Sequence, residues 1–186
     1  MRARFLPTLA LCGLTACAAP SDTAPETDGD AGAMEPAPMV VGADVPAADR
    51  DAIVGTVQAL FDALETGDVD LLNSVLDADV VMQFWEERAD GTTNEGRSTV
   101  EGLGTRIATA EEPLIERMWD PEVRLSGALA SVWTPYDFYI GETFSHCGVD
   151  QVTLLRDGDG WRVVGLSWTR QQPPACDLHP DGPPGS

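Results

Sequence analysis

The chain has 186 residues, room for one domain with a sizeable core, and 31 acidic side chains against 11 basic ones give it a formal charge of −20. Every basic residue is Arg, and so acidic a surface repels phosphate backbones and anionic headgroups, which argues against nucleic acid as a partner. No stretch repeats at a period of about 20–50 residues, so solenoids and propellers are set aside as well.

The N-terminus carries Arg2 and Arg4, then an apolar run from Phe5 to Leu14, then small residues. That is the pattern of a secretory signal, too short to span a bilayer. The run ends in Leu14-Thr15-Ala16-Cys17, which resembles the lipobox of bacterial lipoproteins. The resemblance implies cleavage before Cys17 and acylation of its thiol, and more than one acyl chain is what stable anchoring needs. Ala18 in place of Asp after the cysteine implies, by the same likeness to Gram-negative lipoproteins, an outer-membrane position facing the periplasm. The plainer reading is an ordinary secretory signal with Cys17 incidental. Residues 1–16 are thus expected as a lipoprotein signal peptide, and residues 17–46 as the lipidated cysteine and an acidic Pro/Ala-rich tether. That segment lacks Arg and aromatic side chains and cannot bury enough apolar surface to offset its ordering entropy.

Residues 47–172 read as the folded domain. Ile53, Val54, Val57, Leu60, Phe61 and Leu64 recur at helical spacing up to a stop at Gly67, and Asp68 caps a second short helix through Leu76. A strand follows over 77–87, then a polar turn over 88–97. A third helix is opened by Ser98, with Glu101 three residues on in capping-box spacing. The rest reads as sheet: 114–126 broken near Asp120-Pro121, a turn at Gly127, a strand to Ile140, a turn at Gly141-Glu142, a strand to Arg156, the turn "DGDG", and a last strand to Arg170. Helices first and an antiparallel meander last make an α+β chain. The tail, 173–186, is Pro-rich and reads like the tether.

Helix, "GD" turn, helix, strand, helix and long curved strands is the order of the nuclear transport factor two-like, or SnoaL-like, superfamily. The stretch from Met118 to Arg170 resembles the branch labelled lumazine-binding. The resemblance covers most of 49–170. It implies a cone-shaped α+β fold in which two or three N-terminal helices pack on a strongly curved, mostly antiparallel sheet with a pocket between. Such folds host isomerases, cyclases and dehydratases beside domains without known chemistry, so fold alone decides no function.

Candidate site residues come from strand parity. On "TFSHCGVDQV" His146 and Asp150 share one face and Cys147 the other. Counting back from Ile140 opposite Thr143 sets His146 opposite Asp137, and counting across the next turn sets it opposite Arg170. A row Asp137, His146, Arg170 is therefore expected on the concave side, with Trp133 and Trp168 on the same face and Tyr136 or Tyr139 nearby. A carboxylate beside an imidazole raises its basicity, and an Arg orients an anionic or carbonyl group. Asp150 among tryptophans would have a raised pKa. The bland alternative is a polar rim whose cross-strand charge pairs add about 0.2–1 kcal/mol.

Of the four cysteines, Cys12 leaves with the signal and Cys17 takes lipid. Cys147 and Cys176 remain, either as one bridge in an oxidising compartment or as two separate thiols. Only His146 and His179 offer imidazoles, so no metal is expected, nor any cofactor. The leading expectation is an exported, membrane-anchored domain that binds a small, partly apolar molecule without transforming it. The alternatives are an isomerase, cyclase or dehydratase with Asp150 or His146 as general base, and a dimeric accessory domain.

Overall fold

The structure, a computed structural model, describes residues 39–41, 44–88 and 90–185. The signal-like segment, Cys17 and most of the expected tether lie outside the described residues.

Helix α1 (Ala47–Thr66) buries Ile53, Val57, Leu60, Phe61 and Leu64, an i, i+4, i+7, i+8, i+11 stripe on one face. Fully burying side chains of this size contributes about 1.5–3 kcal/mol each. Gly67 ends the helix in the left-handed conformation, φ 69°, with its N–H on the Ala63 carbonyl. Asp68 then caps α2 (Val69–Val75), accepting from the Leu71 amide at 2.9 Å.

Strand β2 (Leu76–Glu87) leads into β3 (Thr93–Ser98), which pairs with it antiparallel from Met82↔Ser98 to Glu87↔Thr93. The region expected as a polar turn is thus a hairpin. "TNEGRS" shows no apolar alternation because β3 is an edge strand. Ser98 belongs to that strand, so the cap of α3 (Val100–Ala108) is Thr99, whose Oγ1 accepts from the Gly102 amide at 3.0 Å.

Strands β4 (Leu114–Met118) and β5 (Glu122–Ser126) lie end to end along one edge of β6 (Leu129–Ile140), separated by Asp120 at φ 47° and Pro121. β7 (Thr143–Asp157) and β8 (Gly160–Arg170) continue the meander. A three-residue strand, β1 (Met39–Val41), pairs with β5. The order is β1-β5-β6-β7-β8-β2-β3 with β4 beside β6, and β2 with β8 is the parallel pair in an otherwise antiparallel sheet. The three helices cover one face of this curved, unclosed sheet, and the core of α1, α2 and inward residues such as Val132, Val152, Leu154 and Val163 lies between.

Departures from regular pairing shape the sheet, beginning with a register shift between β2 and β8 after Leu76. Ile140 does face Thr143, but the register slips after Tyr139↔Phe144, so Phe138 pairs with His146 and Ser145 is left over. Asp137 therefore stands opposite Cys147, not His146. Between β7 and β8 the register shifts between Thr153↔Gly165 and Leu154↔Val163, and Leu155 pairs with Arg162, so Arg170 stands level with Gly148 and not, as expected, opposite His146. The ladder is also interrupted between Asp150↔Trp168 and Cys147↔Gln171. Between them Thr169 turns away from the ladder: its carbonyl accepts from the Tyr136 hydroxyl at 2.7 Å, and its own hydroxyl accepts from the Val149 amide at 3.0 Å. A Cβ on Gly148 would collide with the Thr169 backbone. Only glycine allows this approach.

Beyond β8 the chain crosses the face away from the helices. Cys147 and Cys176 are joined by a disulfide, and the His179 amide donates to the Asp137 carboxylate at 3.0 Å. The Pro-rich segment is thus tied down despite its tether-like composition.

Two outcomes follow, both read by urea denaturation. Gly148→Ala lowers stability by about 1–3 kcal/mol through overpacking. Cys176→Ala lowers it by about 2–4 kcal/mol, because the bridge closes a loop of 29 residues in the unfolded chain.

Candidate functional site

Between α1, α3 and the concave face of the sheet lies a cavity of about 200 Å³. Leu60 and Leu64 reach it from α1, Leu103 and Arg106 from α3, and Met82 and Phe84 from β2. The strands opposite contribute Glu116, Phe138, His146, Asp150, Trp168 and Arg170. The walls are mostly apolar, and the polar groups converge. A wider, shallower groove of about 570 Å³ lies on the opposite face near the exposed Trp85 and Trp133. It holds none of the shifted titratable groups.

At the cavity's centre two carboxyls meet. Asp150 is 1% exposed, and it shares a hydrogen bond with Glu116 from β4. Burial raises Glu116 to about 7, against the pull of the Asp150 hydrogen bond and of Arg170 and Arg106. Burial raises Asp150 well above the carboxylate range, and the neighbouring Glu116 charge adds to this. Two acids this close cannot both ionise, so Asp150 keeps its proton and donates to Glu116. Asp150 Oδ2 has no hydrogen-bond partner among the described residues.

His146 lies on the same face. Burial, with Arg170 and Arg106 nearby, lowers its pKa to about 4, so the ring is neutral at neutral pH. It sits edge-on to Tyr136 at 5.7 Å and tilted over Phe138 at 5.0 Å, with Nδ1 3.0 Å from the Ser145 hydroxyl. Arg170 lies 4.0 Å over the Phe84 ring and 5.9 Å from that of Trp168. Burial pulls its pKa down, and its Nε is buried without an acceptor among the described residues. Glu86 stands beside Arg170 in register, but its carboxylate takes Asn94 at 2.8 Å and Arg88 at 3.9 Å.

The expected row is therefore divided. His146, Asp150, Trp168 and Arg170 line one cavity. Asp137 is on the other face, fully buried, held by Arg117 through two bonds of 2.9 and 2.6 Å and by the His179 amide. The one-residue slip at Ser145 moves it there. Trp133 is 54% exposed on that outer face and cannot line the cavity. Tyr136 is inward but donates to a main-chain carbonyl, and burial raises its phenol further from ionisation. Tyr139 packs outward against Phe144 and Arg117. Sequence reasoning missed Glu116, Arg106 and Phe138. Parity on "LIERM" would have flagged Glu116 had β4 been paired with the far half of β6. Among the described residues no group of three His, Cys, Asp or Glu side chains is placed to hold a metal ion, and no helix is long and apolar enough to cross a membrane.

No protein-family profile matches the sequence, and no curated protein matches it. Solved structures do. An NTF2-like protein from Cytophaga hutchinsonii superposes with a TM-score of 0.53 at 19% identity, over 66% of this chain and 98% of that one. A candidate dehydratase of the NTF2-like family from Streptomyces avermitilis gives 0.51 at 18%, over 68% and 98%. An NTF2-like protein with a cystatin-like fold from Novosphingobium aromaticivorans gives 0.53 at 16%, over 69% and 85%. At these identities the likeness is one of architecture: three helices on a large, curved, unclosed mixed sheet are the NTF2-like cone fold.

Proposed function

We propose that this chain is an exported domain, anchored to the membrane through acylated Cys17, that binds a small, partly apolar molecule in its concave cavity. The observation that carries the reading is an apolar cavity of about 200 Å³ into which a few polar groups converge, the usual make-up of a small-molecule site. The lipobox resemblance supports the anchoring and the envelope location.

A second reading is favoured by the carboxyl pair. An acid that holds its proton beside one that titrates near neutrality is suited to proton transfer. In an isomerase or dehydratase of this kind Glu116 is the base and Asp150 the acid, while His146, neutral down to about 4, positions the guest. The likeness to a protein described as a candidate dehydratase is consistent with this reading.

Native mass spectrometry of the chain purified from its own cells checks the binding reading. A reproducible added mass that disappears on unfolding is expected, and Leu103→Trp, which fills the cavity, removes it. An added mass that survives Leu103→Trp places the guest elsewhere.

The carboxyl pair also dictates a pH dependence of stability. Glu116 rises from 4.5 to about 7 on folding. Its contribution is complete below about pH 4.5 and is lost as pH climbs through 7. His146 falls from 6.5 to about 4, so its contribution is present above about pH 6.5 and is lost as pH falls toward 4. The two oppose each other between these limits. Above about pH 6.5 the carboxyl pair acts alone, so the urea midpoint falls as pH rises to about 8. Glu116→Gln flattens that fall; an unchanged slope means the pair does not carry the proton.

A further inference from the structure

The nine arginines among the described residues divide by what they touch. Arg88, Arg117, Arg124, Arg156 and Arg162 each pair with a carboxylate. Arg50 donates to the Pro121 carbonyl at 3.2 Å. The three with neither kind of partner, Arg97, Arg106 and Arg170, all border the concave cavity. In a chain of formal charge −20, acidic partners are plentiful, so three unpaired guanidiniums around one cavity are not a product of scarcity.

Nor does the cavity neutralise them from within. Its two acids share a hydrogen bond, which requires a proton between them, so together they carry at most one negative charge. His146 carries none, and Glu86 is engaged by Asn94 and Arg88. The local field is positive inside a strongly negative molecule, and low-dielectric walls sharpen such a field. We propose, resting on the binding reading above, that the guest is a small monocarboxylate, with an apolar body of about one ring against Leu103, Phe138 and Trp168 and its carboxylate on Arg106 and Arg170. The volume supports this size: an apolar cavity of about 150 Å³ accommodates benzene, and this one holds about 200 Å³. A phosphate fits less well. Arg106 lies in the last turn of α3, and the carbonyl end of a helix disfavours a doubly charged anion.

Calorimetric titration of the full chain with phenylacetate, phenylacetamide and inorganic phosphate decides the matter. Phenylacetate is expected to bind at least about tenfold more tightly than its isosteric amide, the scale of a charge-assisted hydrogen bond. Arg106→Gln, at an exposed position, is expected to abolish most of that difference while leaving the amide unchanged. Equal binding of acid and amide overturns the carboxylate assignment and leaves the apolar cavity reading intact. Phosphate binding as tight as phenylacetate overturns it as well. If none of the three binds, the carboxylate assignment falls. In that case an added mass in the native spectrum still upholds a guest of other chemistry, and its absence removes both readings. The acid and amide comparison needs no variant, so the result stands even where Arg106→Gln lowers stability.

Discussion

One extra residue in a strand decides what each face of the sheet carries. Because Ser145 drops out of the pairing between β6 and β7, every residue of β6 before Tyr139 meets a neighbour one place along from that of the regular ladder. Phe138 and Tyr136 come to lie with His146 and Asp150, and Asp137 comes to lie with Cys147. A slip of one residue exchanges faces completely. The concave side thereby keeps one ionisable pair, Glu116 with Asp150, in an apolar setting. The other side receives the carboxylate that holds Arg117 and the His179 amide, beside the cysteine that fixes the C-terminal segment. Cavity and strap are two results of the same slip.

The energetics of the two faces differ in kind. Asp137 is a buried charge that is fully compensated: a bidentate guanidinium and a main-chain amide fill its lone pairs, the condition under which burial of a carboxylate is tolerated. The concave acids are compensated by sharing a proton, which leaves at most one negative charge among the arginines that border the cavity. Gly148 and the displaced Thr169 carbonyl make this arrangement possible, since β7 and β8 approach closely just where His146, Asp150 and Arg170 leave the sheet. Glu116, His146, Asp150 and Arg170 are thus placed in the cavity by strands and not by loops, and strands are the stiffer support.

Much of the scaffold was legible in the residues. The apolar stripe of α1, the Gly67 stop, the Asp68 cap, the break at Asp120-Pro121 and the three glycine turns all follow from local chemistry, and all are observed. What local chemistry does not encode is which strands become neighbours. Edge strand β3 hid as polar sequence because no periodicity marks a strand of this kind. Glu116 was passed over because β4 pairs with the far half of β6, across a non-hairpin connection. Arg106 carries no local signal, since a basic side chain in the last turn of a helix is ordinary. Bulges leave no mark in the pattern of apolar residues, and the parity argument for Asp137 failed on one of them. The same argument succeeded in placing His146 and Asp150 on one face, because they lie on one strand whose pairing with β6 is unbroken between them.

Strand order has a consequence for how the chain assembles. β8, the last strand, lies between β7 and β2, so the β2–β3 hairpin and the β1-β5-β6-β7 array are bridged through it. A chain emerging from its N-terminus leaves the edges of β2 and β7 open until residues 160–170 arrive. The sheet therefore closes late, through contacts distant in sequence, and such pairings form slowly and expose unpaired edges meanwhile. A truncation before Gly160 removes the middle of the sheet and not its margin, and leaves two separate β units in place of a shortened domain.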